Sequence, residues 1–171
     1  IYNDVRKFGF IKFFKKRNSV RNNLHLSNLG PEPLSKFWRT VYLKKYISGK
    51  KRKIKDILMD QKCVSGLGNI YVNEILFASG IHPKKVGSKL KNYEIIKIVK
   101  NSKKILKKSI ALGGSSIKNF SSDNGKKGDF QQKFRVYGKK NINCSNIDCK
   151  NIITRTIISN RATFFCSKCQ K

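Results

Sequence analysis

The chain has 171 residues, with 39 Lys and Arg against 9 Asp and Glu and a formal charge of +30. That length suits one ordinary domain or two small ones, and the imbalance repels itself unless an anionic partner neutralises it: DNA, RNA or an anionic surface, with nucleic acid favoured. No run of about 18 apolar residues occurs, so no membrane-spanning helix and no membrane partner are expected.

Residues 1 to about 26 read as strands. Phe8, Phe10, Phe13, Phe14 and Val20 interleave with Lys and Arg, and Gly9 interrupts the run. Two strands of a larger sheet fit, because so short a piece cannot bury both faces alone. The opening Ile1-Tyr2-Asn3-Asp4 reads as the middle of a protein, so a fragment is expected, and no signal peptide is read there.

Residues 29 to about 120 read as helical. After Pro31-Glu32-Pro33, the residues Leu34, Phe37, Trp38, Val41 and Tyr42 recur at helical spacing. Ile54, Ile57 and Leu58 start a second, short helix. Tyr71, Val72, Ile75 and Leu76 mark a third, stopped by Gly80. Ile95, Ile98, Val99, Ser102, Ile105, Leu106 and Ile110 line one face of a fourth, with Asn92 as its cap and Gly113-Gly114 as its end. Residues 121–130 have no period and two glycines, and predict a mobile loop.

Cys144, Cys149, Cys166 and Cys169 form C-x4-C and C-x2-C pairs with 16 residues between them. Two short chelating pairs around a hairpin-sized spacer match a four-thiolate tetrahedral zinc site, structural because no coordination position stays open. The alternatives are two disulfides or unligated thiols. Thr154, Thr156, Ile157 and Ile158, a Ser159-Asn160 turn, then Thr163, Phe164 and Phe165 predict the hairpin. Cys63 is left over and reads as a small buried hydrophobe.

Between the second and third helices lies Val64-Ser65-Gly66-Leu67-Gly68-Asn69. Glycines permit close backbone approach, and the free N–H groups of a helix start suit a phosphate. A plain interhelical turn capped by Asn69 is the competing reading. The basic run Lys50-Lys51-Arg52-Lys53 upstream favours phosphate.

These words together resemble the formamidopyrimidine-DNA glycosylase family. The resemblance rests on Leu58-Met59-Asp60-Gln61, Gly66-Leu67-Gly68-Asn69-Ile70-Tyr71, Asn73-Glu74-Ile75-Leu76-Phe77 and Gly80-Ile81-His82-Pro83. It extends to Asp4-Val5-Arg6-Lys7-Phe8-Gly9, Leu29-Gly30-Pro31-Glu32-Pro33-Leu34, Gly113-Gly114-Ser115-Ser116, Val136-Tyr137-Gly138 and Arg161-Ala162-Thr163-Phe164-Phe165-Cys166. The first cysteine pair departs from the family, which usually has two intervening residues.

The resemblance implies base-excision repair. A bifunctional glycosylase and AP lyase removes 8-oxoguanine and formamidopyrimidines from duplex DNA, then cuts the abasic strand by β,δ-elimination. The damaged nucleotide must leave the stack to be reached. In the family an N-terminal proline amine is the nucleophile; it has no counterpart in residues 1–171, and the chain as given is expected to bind without excising. The positions that carry over concern grip. Arg6 would face the orphaned cytosine and Phe8 would wedge the stack. Lys55, Asn69 and Arg161 would clamp phosphates around the lesion, and Lys50 would be a further DNA contact. Lys118 and residues 122–130 would form the lesion-recognition loop. The family also makes the Arg161 position the proton donor for δ-elimination, although a guanidinium with a pKa above about 12 is a better phosphate ligand than acid. Glu74 is either a residue near the site or a buried carboxylate bonded to backbone, and His82 is read as structural.

The resulting fold class is mainly α with a small β zinc ribbon. A remnant of a β-sandwich (1–28) precedes a helix-two-turn-helix DNA-binding domain (29–134) and a zinc-finger β-hairpin (135–171). One structural Zn2+ ion, duplex DNA carrying an oxidised purine or abasic site, a monomeric state, and a bacterial cytoplasm or an organelle of bacterial origin are expected. Two other readings stay open: a non-catalytic zinc-dependent DNA-binding fragment, and a zinc-ribbon protein of transcription or the ribosome. The latter leaves the central glycine turn unexplained.

Overall fold

The computed structural model describes residues 9, 11–16, 23–115 and 128–171. Five helices are described: α1 (Leu24–Ser27), α2 (Thr40–Ile47), α3 (Ile54–Met59), α4 (Asn69–Ser79) and α5 (Asn92–Ala111). Short 3-10 turns span Gly87–Lys89 and Phe130–Lys133, and β1 (Thr154–Ile158) pairs antiparallel with β2 (Arg161–Phe165).

Two apolar clusters hold these elements. The larger gathers Trp38, Leu43, Ile57, Ile75 and Ile98, so α2, α3, α4 and α5 share one interior. Trp38 is wholly buried and donates its indole N–H to Ser102 Oγ at 2.7 Å, so the ring is buried without leaving its polar atom unmatched. The smaller joins Phe77 of α4 to Val136, Ile153, Phe164 and the cysteines Cys144 and Cys166. Phe77 thereby seats the hairpin on the helical part.

The helix over Ile54, Ile57 and Leu58 and the third helix with its stop at Gly80 form as their spacing predicts. Gly80 takes φ +71, a left-handed conformation that favours glycine. The first predicted helix is displaced. Ser35 donates both its N–H (3.0 Å) and its hydroxyl (2.8 Å) to the Glu32 carbonyl, and its Oγ accepts the Phe37 N–H. This local turn competes with helix formation. The helix therefore starts at Thr40, and the buried residues are Trp38, Leu43 and Ile47, whereas Leu34, Phe37 and Val41 are exposed.

Other expectations also need correction. Residues 11–16 contain no strand, Phe13 is exposed, and Leu24–Ser27 is helical where a strand was expected. Phe8, Phe10 and Val20 lie outside the described residues. On α5, Ile110 is exposed, and Asn92 is the first helical residue, with Lys91 as the N-cap. Glu94 accepts the Lys91 N–H at 2.9 Å. Most of the predicted loop lies outside the described residues, but its end is ordered: Asp129 bridges to Ser115, and Phe130 is buried and stacks on Tyr71.

Candidate nucleic-acid interface and metal centre

The turn from α3 to α4 is built by side chains on its own backbone. Gln61 accepts the Gly66 N–H at 2.7 Å and donates to the Leu67 carbonyl at 3.0 Å, and Gly66 takes φ +83. Asp60 accepts the Lys62 N–H and pairs with Arg52 at 2.8 Å. The segment before α2 threads along this turn: Gly30 donates its N–H to Gln61 O, and the Pro31 carbonyl accepts from Ser65. A Cβ on Gly30 would lie 2.5 Å from the Cys63 carbonyl carbon and oxygen, which only glycine avoids.

The turn delivers Gly68 as the N-cap of α4, with no side chain capping the helix. Asn69 is thus not the cap; its side-chain amide donates across to the carbonyl of Ala162 on β2, at 2.9 Å. Lys55 reaches the same strand from α3. Its ammonium donates to Thr163 Oγ1 at 2.6 Å and approaches the Ala162 carbonyl at 3.5 Å. Lys55 is 1% exposed. Burial lowers its pKa to about 8; nearby Asp56 opposes the shift and Arg161 adds to it. Arg161, exposed at the start of β2, lines an open groove of about 520 Å³ with Lys55, Asp56, Asp60 and Arg52. Lys55, Asn69 and Arg161 therefore meet around one stretch of β2. Lys50 does not join them: its ammonium sits over the Tyr46 ring, 4.4 Å from the centroid. Arg6, Phe8 and Lys118 lie outside the described residues.

Three residues with no role assigned from sequence position this strand. Asn73 Oδ1 accepts the Phe164 N–H at 2.7 Å while its amide donates to the Asn69 carbonyl at 2.6 Å, so α4 and β2 are joined through one side chain. Thr163 is the buried acceptor for Lys55. Gln170 accepts the Cys166 N–H and donates to the Ile81 carbonyl. The four-residue spacing of Asn69 and Asn73, which puts both on one helix face, was the available signal for Asn73. Glu74 is a buried carboxylate bonded to backbone: it accepts the N–H groups of Arg135, Val136 and Tyr137, each at 2.9 Å. His82 packs edge-on against Phe165 at 4.7 Å, and burial lowers its pKa. Cys63 is fully buried, and burial pushes its thiol up to about 12, which suits a packed side chain and not a nucleophile.

Beyond β2 the four cysteines close on a single point. All four Sγ atoms lie within 4.8 Å of one another, with Cys144 to Cys169 at 3.8 Å and Cys149 to Cys166 at 3.7 Å. Sulfurs held about 2.3 Å from a tetrahedral ion stand about 3.8 Å apart, so the four can hold a metal ion. The longer first spacing is absorbed by a turn in which Asp148 takes φ +63 and Cys149 donates its N–H to Asn146 O. Ser159 and Asn160, at φ +48 and +58, make the two-residue hairpin turn that sets Arg161 beside the groove.

A family model described as the formamidopyrimidine-DNA glycosylase H2TH domain matches residues 29–121. A formamidopyrimidine-DNA glycosylase of Bacillus licheniformis is 40% identical over 170 residues, covering 99% of this chain and 61% of that protein. One of Rickettsia felis is 41% identical, covering 99% and 60%. Among solved structures, the complex of Lactococcus lactis Fpg with DNA containing an abasic site superposes with a TM-score of 0.82 at 34% identity, over 91% of this chain and 56% of that one. The chain thus spans about three fifths of the length of the curated relatives it matches.

Proposed function

The chain belongs to the formamidopyrimidine-DNA glycosylase family, and from that premise we propose that it serves base-excision repair, gripping duplex DNA at an oxidised purine or an abasic site. The whole protein's activity on this reading is excision of 8-oxoguanine and formamidopyrimidine, followed by β,δ-elimination at the abasic sugar. Residues 29–134 are the helix-two-turn-helix part, and residues 135–171 the zinc finger.

The observation that carries the reading is the convergence on Ala162. Asn69 and Lys55 both donate to its carbonyl, and Arg161 precedes it. The buried ammonium and the exposed guanidinium line one groove, and the uncapped start of α4 is tied to the same strand through Asn69. Backbone N–H groups, a point charge and a planar fork together form a phosphate site. In this setting Arg161 holds phosphate oxygens, and Lys55 supplies charge from inside the fold. Arg6, Phe8 and Lys118 take the orphan-base, wedge and lesion-loop roles, and Lys50 is an outer DNA contact.

The donor set of four thiolates suits Zn2+ held by Cys144, Cys149, Cys166 and Cys169. When bound, the ion supplies a structural cross-link, with no position open for catalysis. What the residues around it do is mechanical: they fix the hairpin whose turn sets the direction of Arg161.

The complexes of Lactococcus lactis Fpg with abasic-site and Fapy-dG DNA support the partner class. The deciding experiment measures the affinity of residues 1–171 for a duplex with one abasic-site analogue against the undamaged duplex, across a salt series. Tighter binding to the damaged duplex and a steep loss with salt are expected. Equal affinity for both duplexes would remove the lesion-directed reading.

A further inference from the structure

Among the described residues only two ion pairs occur, Arg52 with Asp60 and Lys85 with Glu94. Nearly all of the positive charge is therefore unpaired within the described part of the chain, and α5 concentrates it on one face. Lys97, Lys100, Lys104, Lys107 and Lys108 are exposed. They recur at spacings of three and four, so they form a single row opposite the buried Ile95, Ile98 and Ser102. The one acid of the helix, Glu94, is buried and taken by Lys85 at 2.7 Å, so no carboxylate of α5 offsets the row.

From Lys97 to Lys108 the row is about 16 Å long at the helical rise. One strand of a DNA duplex carries about five phosphates over that distance. At its C-terminal end the row runs into a recess of about 270 Å³, where Lys104 and Lys108 meet Lys133 and Arg135 from a separate segment. Glu74 also borders the recess, but its two oxygens already accept three backbone N–H groups. At the other end the ring of Tyr93 is half exposed, with Lys97 over its face at 5.4 Å.

This surface is not the groove at Arg161. Helix α4 lies between them: Asn69 and Asn73 face β2, whereas Ser79 accepts from Asn101 on α5. Ala78, which borders the recess, is nine residues or two and a half turns from Asn69, and so on the opposite side of α4.

We propose that the outward face of α5, with the recess at its end, is a second binding surface for the phosphate backbone of duplex DNA, so that one chain holds two duplex segments at once. The occupant follows from charge complementarity along a row: a polyphosphate rod matches a line of cations, and the position of the row across α4 from Arg161 points to a second duplex segment. The inference rests on the proposed grip at Ala162 for the first duplex, and the second surface is argued from the charge and position of α5.

The test mixes the chain with two short duplexes, each carrying one abasic-site analogue, one labelled with an energy donor and the other with an acceptor. Transfer at low salt, with sedimentation showing one chain per two duplexes, is the expected result. The variant Lys97→Gln/Lys100→Gln/Lys104→Gln/Lys107→Gln should lose the transfer while keeping its affinity for a single abasic duplex within about twofold. All four side chains are exposed, so its melting temperature should match the parent. Lys133→Gln, which leaves the α5 row intact, reads the recess alone and should weaken the second binding event. Arg161→Ala should lower single-duplex affinity for the abasic site and leave the lysine-dependent binding of undamaged duplex in place, which separates failure of this proposal from failure of the clamp. Saturation at one duplex per chain, a quadruple variant that bridges like the parent, or bridges that contain two chains would each overturn it. So would row-dependent capture of phosphatidylserine vesicles without bridging of duplexes, which would make the partner a membrane surface.

Discussion

The side-chain amide of Asn69 donates to the carbonyl of Ala162 at 2.9 Å, joining the first turn of α4 to the second residue of β2. A helix start and a hairpin that are 93 positions apart in sequence thus share one hydrogen bond, and Arg161 sits beside it. On the proposed grip, this bond keeps the charged groups aligned, and the consequences can be measured.

Arg161 is exposed, so its removal should test binding without disturbing the fold. Arg161→Ala should weaken binding to abasic-site DNA by about 1 to 3 kcal/mol, the scale of a lost charged contact. Arg161→Lys should recover only part of this, because a point charge does not reproduce a planar fork. Melting temperature should not move in either variant. Wild-type affinity in the alanine variant would take Arg161 out of the clamp.

Lys55 gives the interface a pH dependence with a definite sign. Its pKa in the folded protein is about 8, lowered by burial, against an ordinary value of 10.5. A phosphate partner favours the ammonium, so DNA affinity should fall as pH rises above about 8, by no more than tenfold per unit. Stability moves the other way. The unfolded chain binds the proton up to its ordinary pKa, whereas the folded chain releases it near 8, so the cost of the buried charge is fully present below pH 8 and is relieved between 8 and 10.5. Lys55→Met should flatten both curves. Parallel loss of affinity and stability with rising pH would contradict this assignment.

How much of this could be read from sequence depends on how local the cause is. The hairpin and its Ser159-Asn160 turn, the four cysteines, and the short helix ending before Gly66 are set by neighbours along the chain, and their spacing announces them. Gly30 was legible only as part of a word, because its reason is the Cys63 carbonyl 2.5 Å from where its Cβ would be, a contact 33 residues away. The start of α2 was misread because Ser35 spends its hydroxyl on the Glu32 carbonyl, which a count of apolar positions does not see. The meeting of Lys55, Asn69 and Ala162 is wholly tertiary; of the residues that fix it, Asn73 shows only its four-residue spacing from Asn69, and Thr163 carries no periodic signal.

The cysteine cluster should be necessary for binding and dispensable for most helix. The two apolar clusters are distinct, with Phe77 reaching from α4 into the smaller one. Removing the metal with a strong chelator should therefore release about one zinc per chain and disorder the hairpin, while far-ultraviolet helical signal largely remains. Preference for abasic-site DNA should vanish with the ion, since Arg161 loses its mount. Binding that survives complete metal removal would show that the hairpin does not carry the grip.

Glu74 separates a structural carboxylate from a catalytic one. Its oxygens accept three successive N–H groups, from Arg135, Val136 and Tyr137, and the residue is 3% exposed. Glu74→Ala leaves those donors facing a void, and at about 1 to 3 kcal/mol per unsatisfied group the loss should reach at least about 3 kcal/mol. Glu74→Gln can keep its carbonyl oxygen toward Val136 and Tyr137 but turns an amide nitrogen toward the Arg135 N–H. It should therefore cost about 1 to 3 kcal/mol, the value of one charge-assisted bond. Chemical denaturation of the two variants gives both numbers. Because the segment they release leads directly into the hairpin, abasic-site affinity should fall in the same order, alanine below glutamine. A glutamine variant as stable as the parent but impaired in DNA-directed function would instead place Glu74 at the reacting sugar.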